Sequence, residues 1–420
     1  MPADNRTIFL ADCESFYASV EKAANPALAH KPVVVAGDSE RRSGLILAAC
    51  PLAKARGIAT AGRLGDALGK CPDLVIVKPR MQLYIDVSLQ ITKIYETYSD
   101  LVEPYSIDEQ FIDVTGTLHL FGDARMTAHK IQQHILAVTG VYTRFGISDC
   151  KVLAKLACDN YAKKNESGIY VLEREGLGDS LWQLPIGRMF MVGNRMANHF
   201  LRMGIHTMGD LARMPLQELK RKLRARFGRN ADVQAEVCWR IANGIDDSPV
   251  ITGKHAGEKS VGHMMTLPRE YAARDEIKVI ILELCELVGR RCRSIDRLGR
   301  TLSLGCYGAG FKRSTGFNRQ MTLPYSTYVT NDLYQYALQL FDRYWDGSPV
   351  RRVGLSLSGF QEDGQYQLIL DDHRERLGAL EAATDSLKDK YGDDIIIRAA
   401  SKSKAGQAVD RASKLGGHYR

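Results

Sequence analysis

Apolar and polar positions along the chain change rhythm twice, and each rhythm predicts a different kind of structure. TIFLAD (7–12) is a short buried strand that ends on an acid, and helical spacing follows through Phe16, Tyr17 and Val20. KPVVVAG (31–37), SGLILAAC (43–50) and DLVIVKP (73–79) are β-branched or apolar runs bounded by Gly, Pro or charge, which predicts strands. PLAKARGI reads as a helix with Pro51 at an early position and Gly57 at its end. MQLYIDVSLQITKIYETYS (81–99) carries the i, i+3, i+4 spacing of a long amphipathic helix. VEPYSIDEQFIDVTG (102–116) alternates as a hairpin does: Phe111 and Asp113 share one face, Ile112 and Val114 the other. A helix near 123–138 and the strand TRFGIS (143–148) complete a mixed β/α region.

From about residue 168 the texture shifts to short helices. Residues 189–215 (MFMVGNRMANHFLRMGIHTMGDLARMP) run Gly turn, helix, Gly turn, helix. That is the cadence of a helix-hairpin-helix, whose turn amides can approach a phosphate backbone; an ordinary helical hairpin has the same pattern. GIDDSPVITGKHAG (244–257) lacks periodicity and reads as a linker. Beyond it the order is strand 259–267, helix 272–296, strands 300–307 and 317–323, helix 330–345 and strand 351–358. This β-α-β-β-α-β order is a split βαβ domain with one open sheet face. The remainder holds the apolar run QYQLILDD (365–372), a helix at 374–390 and a tail with six Lys or Arg from Arg398 onward.

With 420 residues, 45% hydrophobic and 25% charged, the chain has the composition of a soluble globular protein of several domains. It has no apolar run of the roughly 18 residues that span a bilayer, and its N-terminus has no signal-peptide core, so no membrane association is expected. Nine cysteines without a CxxC pair predict reduced thiols and a cytoplasmic protein, not a disulfide framework or structural zinc. The net charge of +8 is a mild excess, but it is concentrated. Residues 213–230 hold seven Lys or Arg against Glu218 alone, and 290–300 hold five Arg, patterns that point to phosphate contacts.

Candidate chemistry sits where acids interrupt strand patterns. Asp12 ends TIFLAD, and Asp108 and Glu109 fall inside YSIDEQF. Asp12 could cap the following helix, and Asp-Glu could be a polar turn. Brought together on adjacent strands, three carboxylates would be costly without cations, and such a set suits two Mg²⁺ ions serving phosphoryl transfer.

LADCESFYASVE, YSIDEQFIDVTG and GISDCKVLAKLACDNYAKK, in that order, resemble the Y-family translesion DNA polymerases of the UmuC-like and DinB-like branches. The resemblance runs from about residue 7 to 360 and includes KPVVVAG, the helix-hairpin-helix stretch and RRVGLSLSGF. It implies an α+β multidomain right-hand polymerase: a ferredoxin-like palm (1–20 and 78–166), small fingers (21–77), a helical thumb with the helix-hairpin-helix (167–243), a linker (244–257) and a β-α-β-β-α-β little finger (258–360). The C-terminal stretch 361–420 follows. The implied activity is template-directed, low-fidelity addition of dNTPs to a primer 3′-OH in DNA-damage tolerance, with primer-template DNA as partner.

By the same resemblance Asp12, Asp108 and Glu109 hold two Mg²⁺, with Mn²⁺ as a substitute and the Cys13 backbone carbonyl as a further ligand. Phe16 and Tyr17 lie under the incoming sugar, Tyr17 as the steric gate against a ribose 2′-OH; both also fit as helix-core aromatics. Lys54 and Lys163 match triphosphate contacts. Pro51 and Lys54 stand where many members have Tyr and Arg, so one side-chain contact is lost and the remaining grip lacks a guanidinium fork. Leu45 and Leu47 replace small residues over the template base. Arg221, Lys222, Arg224, Arg226, Arg290, Arg291 and Arg293 are expected to meet DNA phosphates. Gln367, Leu368 and Leu370, within 365–371, partly match a sliding-clamp peptide, although Asp371 replaces an apolar anchor. Accessory subunits are compatible with the UmuC-like branch. GDALGK (65–70) fails the phosphate-loop pattern. A non-catalytic or partner-dependent DNA-binding member of the family is the alternative; a nucleotide cyclase, more remote, would not need the helix-hairpin-helix or the split βαβ domain.

Overall fold

A computed structural model describes residues 6–37, 44–253, 258–310, 315–362, 374–415 and 418–419. The chain forms two compact units, Met1–His255 and Ala256–Arg420.

The first unit opens with β1 (Ile8–Cys13), α1 (Phe16–Ala24), β2 (Val33–Ala36), β3 (Ile46–Ala49), α2 (Pro51–Ala55), α3 (Leu64–Lys70), β4 (Val75–Val77) and α4 (Met81–Glu96). It continues with β5 (Leu101–Pro104), β6 (Glu109–Asp113), α5 (Leu118–Phe121), α6 (Ala124–Thr139), β7 (Thr143–Ser148), α7 (Lys151–Asn160) and β8 (Ile169–Val171). Strands β5-β6-β1-β7-β8 make one sheet and β3-β2-β4 a smaller one. In the larger sheet the order of β1, β5, β6 and β7 is ferredoxin-like, and Pro104 sits on the edge strand, where its missing N–H breaks no ladder. Strand β1 is buried along its whole length, which explains why it reads as an unbroken apolar run. Its odd positions, Phe9, Ala11 and Cys13, join the core that includes Ile91, Ile94 and Ile131 of α4 and α6. Its even positions Ile8 and Leu10 join Phe111, Ala154 and Cys158 on the side covered by α7.

Helix α7 lies unusually close to the sheet. A Cβ on Gly146 of β7 would fall 2.1 Å from the Ala154 carbonyl oxygen and 2.3 Å from the Cys158 amide nitrogen. Only a glycine admits the helix backbone at that depth.

Four helices follow: α8 (Asn194–Arg202), α9 (Met208–Arg213), α10 (Leu216–Phe227) and α11 (Ala231–Ala242). Helices α8 and α9 are the expected hairpin pair; α9 starts at a capping box in which Thr207 and Asp210 satisfy each other's amides. The stretch expected as a linker is fastened at its beginning. Arg6 donates to the carbonyls of Asp246 and Ser248, Asp246 accepts the Val152 amide, and the Ile251 amide donates to Glu103. Val250 is buried with Ile8, Leu10 and Phe111, an apolar anchor that periodicity could not reveal in so short a segment.

The second unit contains β9 (Ser260–Tyr271), α12 (Arg274–Arg293), β10 (Arg297–Tyr307), β11 (Gly316–Thr327), α13 (Thr330–Tyr344) and β12 (Val350–Glu362), with sheet order β11-β10-β12-β9. Alternation along β10 and β12 sends Leu302, Leu304, Val353 and Leu355 into the core shared with α12 and α13. The intervening Ser303, Gly305, Gly354 and Ser356 line an open depression with Tyr307 and Arg319. Helix α14 (Arg374–Tyr391) and α15 (Ala408–Ala412) belong to this unit rather than to a loose tail. Ala405 is buried, its carbonyl accepts the Tyr271 hydroxyl, and Glu283 of α12 accepts the amides of Gln407 and Ala408. All nine cysteines are buried and unpaired.

Candidate active site

Register places the acids. Asp12 of β1 lies opposite Glu109 of β6 on one side and opposite Arg144 of β7 on the other. Strand parity puts all three on the α7 side of the sheet with Ile8, Leu10 and Phe111. Asp12 is therefore a strand residue and not the helix cap, a position taken by Ser15 with a left-handed φ of 50°. Asp108 lies in the turn before β6, where its carbonyl accepts the Cys13 amide at 2.9 Å and its carboxylate accepts the Ser106 hydroxyl at 2.6 Å.

Helix α7 brings a second set of charges onto the same face. Asp12, Glu109 and Asp159 each offer a carboxylate oxygen within 4.8 Å of the others. Lys155 donates to Glu109 at 2.7 Å and to Asp159 at 3.2 Å. Lys163 lies 2.6 Å from Asp12, 2.8 Å from Asp159 and 3.9 Å from Glu109. Arg144 bonds the carbonyls of Ala162 and Asn165, which pins the turn that carries Lys163. Asp159 thus joins Asp12 and Glu109 in one cluster, while the Asp108 carboxylate, in the turn beside them, accepts the Ser106 hydroxyl. Asp159 and Lys155 were missed by sequence reasoning. Their signal was present, a lysine and an acid four apart within the apolar run of LAKLACDN.

Burial and the hydrogen bond shared with Glu109 push the Asp12 carboxyl up to about 7. Burial acts on Glu109 in the same direction, but its bonds to Asp12 and Lys155 outweigh it and hold Glu109 low. Burial disfavours the Lys163 ammonium, yet Asp12 and Asp159 more than compensate and raise it. The Cys13 thiol is fully buried and raised mainly by that burial, so it is no nucleophile at neutral pH. Three carboxylates with only oxygen donors fit a hard divalent cation.

A profile of the impB/mucB/samB family matches residues 11–159, and one of the impB/mucB/samB family C-terminal domain matches 258–370. A DNA polymerase IV 2 of Bacillus subtilis (strain 168) is 52% identical over 416 residues, 99% of each chain. The chain belongs to this family: it is a bacterial Y-family DNA polymerase. A DNA polymerase IV of Pelotomaculum thermopropionicum is 40% identical over 408 residues, 97% of this chain and 98% of that one. The solved Y-family DNA polymerase chimera Dbh-Dpo4(243-245)-Dbh shares the fold, with TM-score 0.69 at 23% identity over 85% of this chain and 100% of that chain. The polymerase is accordingly a DNA-directed, translesion enzyme that uses divalent metal.

Phe16 is buried, whereas Tyr17 is partly exposed and stacks on Tyr84 at 4.4 Å, with Tyr84 fixed by its hydroxyl to Glu21 at 2.7 Å. Lys54 is exposed and donates to Ser15 at 2.8 Å, at the start of the same helix. Leu45 is exposed and Leu47 half-buried.

The basic clusters are less free than the sequence suggests. Arg290 bonds Asp389 and Asp393 at 2.5 and 2.6 Å, and Arg293 bonds Asp385 and Glu381, both at 2.6 Å. These two arginines are therefore paired with acids of α14 and of the turn that follows it. Arg291 points a long bond of 3.4 Å at the Gly262 carbonyl. In α10, Arg224 pairs with Asp232, Lys222 with Glu218 and Arg226 with His199, while Arg221 is exposed and has no acidic partner among the described residues. Gln367, Leu368 and Leu370 lie outside the described residues. No described helix is long and apolar enough to cross a membrane.

Proposed function

We propose that the strand-end acids are the catalytic centre at which a primer 3′-OH attacks the α-phosphate of a dNTP, with pyrophosphate leaving. The observation that carries this reading is the pairing of Asp12 with Glu109 across adjacent strands, with Asp108 tied to the Cys13 amide at the lip. Asp12, Asp108, Glu109 and the Cys13 carbonyl would hold two Mg²⁺, which when bound lower the barrier at the attacking and leaving oxygens. Asp12 and Glu109 are paired across β1 and β6, and with Asp159 their carboxylate oxygens lie within 4.8 Å of one another. Burial, and after it the Asp108 charge, raise the Tyr17 phenol, so Tyr17 is within electrostatic reach of the acids. There its bulk, braced by Tyr84, would meet a ribose 2′-OH and favour dNTPs. Lys54 and Lys163 would meet the triphosphate as point charges.

Primer-template DNA would meet Arg221, Lys222, Arg224 and Arg226 in the first unit and Arg290, Arg291 and Arg293 in the second, each a sequence-independent phosphate grip that weakens with salt. The residues 365–371 are proposed as a sliding-clamp peptide, with Gln367, Leu368 and Leu370 as its contacts. The deciding assay is primer extension with Mg²⁺ and dNTPs on intact and abasic templates. Asp108→Ala is expected to lose extension while keeping primer-template affinity. Loss of both would assign Asp108 a structural role. Tyr17→Ala is expected to raise ribonucleotide insertion, and unchanged sugar selectivity removes Tyr17 as the gate.

A further inference from the structure

Two lysines reach the acid cluster, and they are held very differently. Lys155 lies within α7 with only 8% of its side chain exposed, locked between Glu109 and Asp159. Lys163 lies in the 3₁₀ turn Ala162–Lys164 after the helix, and 35% of its side chain is exposed. Its ammonium touches Asp12 and Asp159 at 2.6 and 2.8 Å and approaches Glu109 at 3.9 Å. It therefore contacts the same three carboxylates whose oxygens converge within 4.8 Å. A point charge on a flexible stem of four carbons can leave such a place through solvent; a locked one cannot.

We propose that Lys163 is a built-in counter-cation, parked by Asp159 between the acids of the metal-free enzyme, and that it must vacate this place as a divalent cation enters. The inference rests on reading the acids as the metal centre and adds a role for two residues. Without a cation, the clustered carboxylates repel one another, and Lys155 alone neutralises only part of that charge. Lys163 supplies the rest and keeps the acids together before loading. Asp159, four residues earlier on the same helical path, is the positioning residue that holds it there. Departure then couples loading to release of an ammonium that is free to meet the triphosphate. Competition follows directly: Lys163 lowers the enzyme's affinity for the first cation.

The test is Mn²⁺ binding to the full chain without nucleotide, read by electron paramagnetic resonance, for wild type, Lys163→Met, Lys163→Gln and Asp12→Asn. Removing a competing ion pair of ordinary strength is expected to tighten Mn²⁺ binding about fivefold in both Lys163 variants. General damage to the site would weaken binding, so the sign separates the role from a structural one. Melting in chelator and in Mn²⁺ gives a second readout: the Lys163 variants are expected to lose stability in chelator and to gain more than wild type from Mn²⁺. Unchanged or weaker binding in the Lys163 variants, with Asp12→Asn still impaired, overturns the counter-cation role and leaves the metal centre standing. Binding untouched by Asp12→Asn overturns both.

Discussion

Lys155→Met is the sharpest probe of how the site is held, because methionine keeps an apolar stem of similar reach and removes the ammonium with its charge and its bonds to Glu109 and Asp159. Lys155 has 8% of its side chain exposed and Glu109 has 16%, so the pair is shielded from water and from salt. Removing one partner of a buried pair leaves the other uncompensated, a loss of about 3–5 kcal/mol. Two features soften it here. Lys163 stands 3.9 Å from Glu109, and Asp12, pushed up to about 7, can carry a proton at neutral pH. The expected destabilisation of the metal-free enzyme is therefore about 2–3 kcal/mol. For a folded unit of this size that lowers the melting temperature by about 4–12 °C. Calorimetry in chelator measures it, and added Mg²⁺ is expected to return part of the loss by neutralising the freed carboxylate. Extension is expected to fall about 10- to 100-fold, as when partners behind metal ligands are removed. A variant that melts like wild type in chelator and extends primers at full rate would refute the claim that Lys155 holds Glu109.

Gly146→Ala is expected to destabilise the first unit by about 3 kcal/mol or more, because the new Cβ meets α7 backbone rather than a movable side chain. Extension falls with it, since α7 carries Lys155 and Asp159, and normal stability and activity would contradict the close approach. Arg293→Met strips the partner shared by Asp385 and Glu381, so hydrogen exchange across 376–391 is expected to quicken about tenfold or more. Unchanged protection there would mean that α14 is held by other contacts. Truncation after residue 362 exposes Glu283 and the Tyr271 hydroxyl, and is expected to lower the melting temperature of the second unit while basal extension survives. A melting profile identical to the full chain would show that the C-terminal stretch adds nothing to that unit.

Much of this architecture is local and so legible in one dimension. Period-2 and period-3.6 patterns placed TRFGIS, the 102–116 hairpin and the helices on either side, because each element must bury one face whatever its neighbours are. The motif acids Asp12, Asp108 and Glu109 stood out because polar side chains broke apolar runs. What needed the third dimension was the partner of each charge. Asp159 and Lys155 are 147 and 143 positions from Asp12, and only the depth of α7 at Gly146 brings them to β1 and β6. The acids that pair with Arg290 and Arg293 come from α14 and the turn after it, about a hundred residues later in the chain. Val250 turns part of an apparent linker into packed chain through one apolar contact. Hydrophobic pattern is a property of neighbours along the chain, so the sequence could declare it. The compensation of charge is a property of neighbours in space, and only the tertiary structure could decide it.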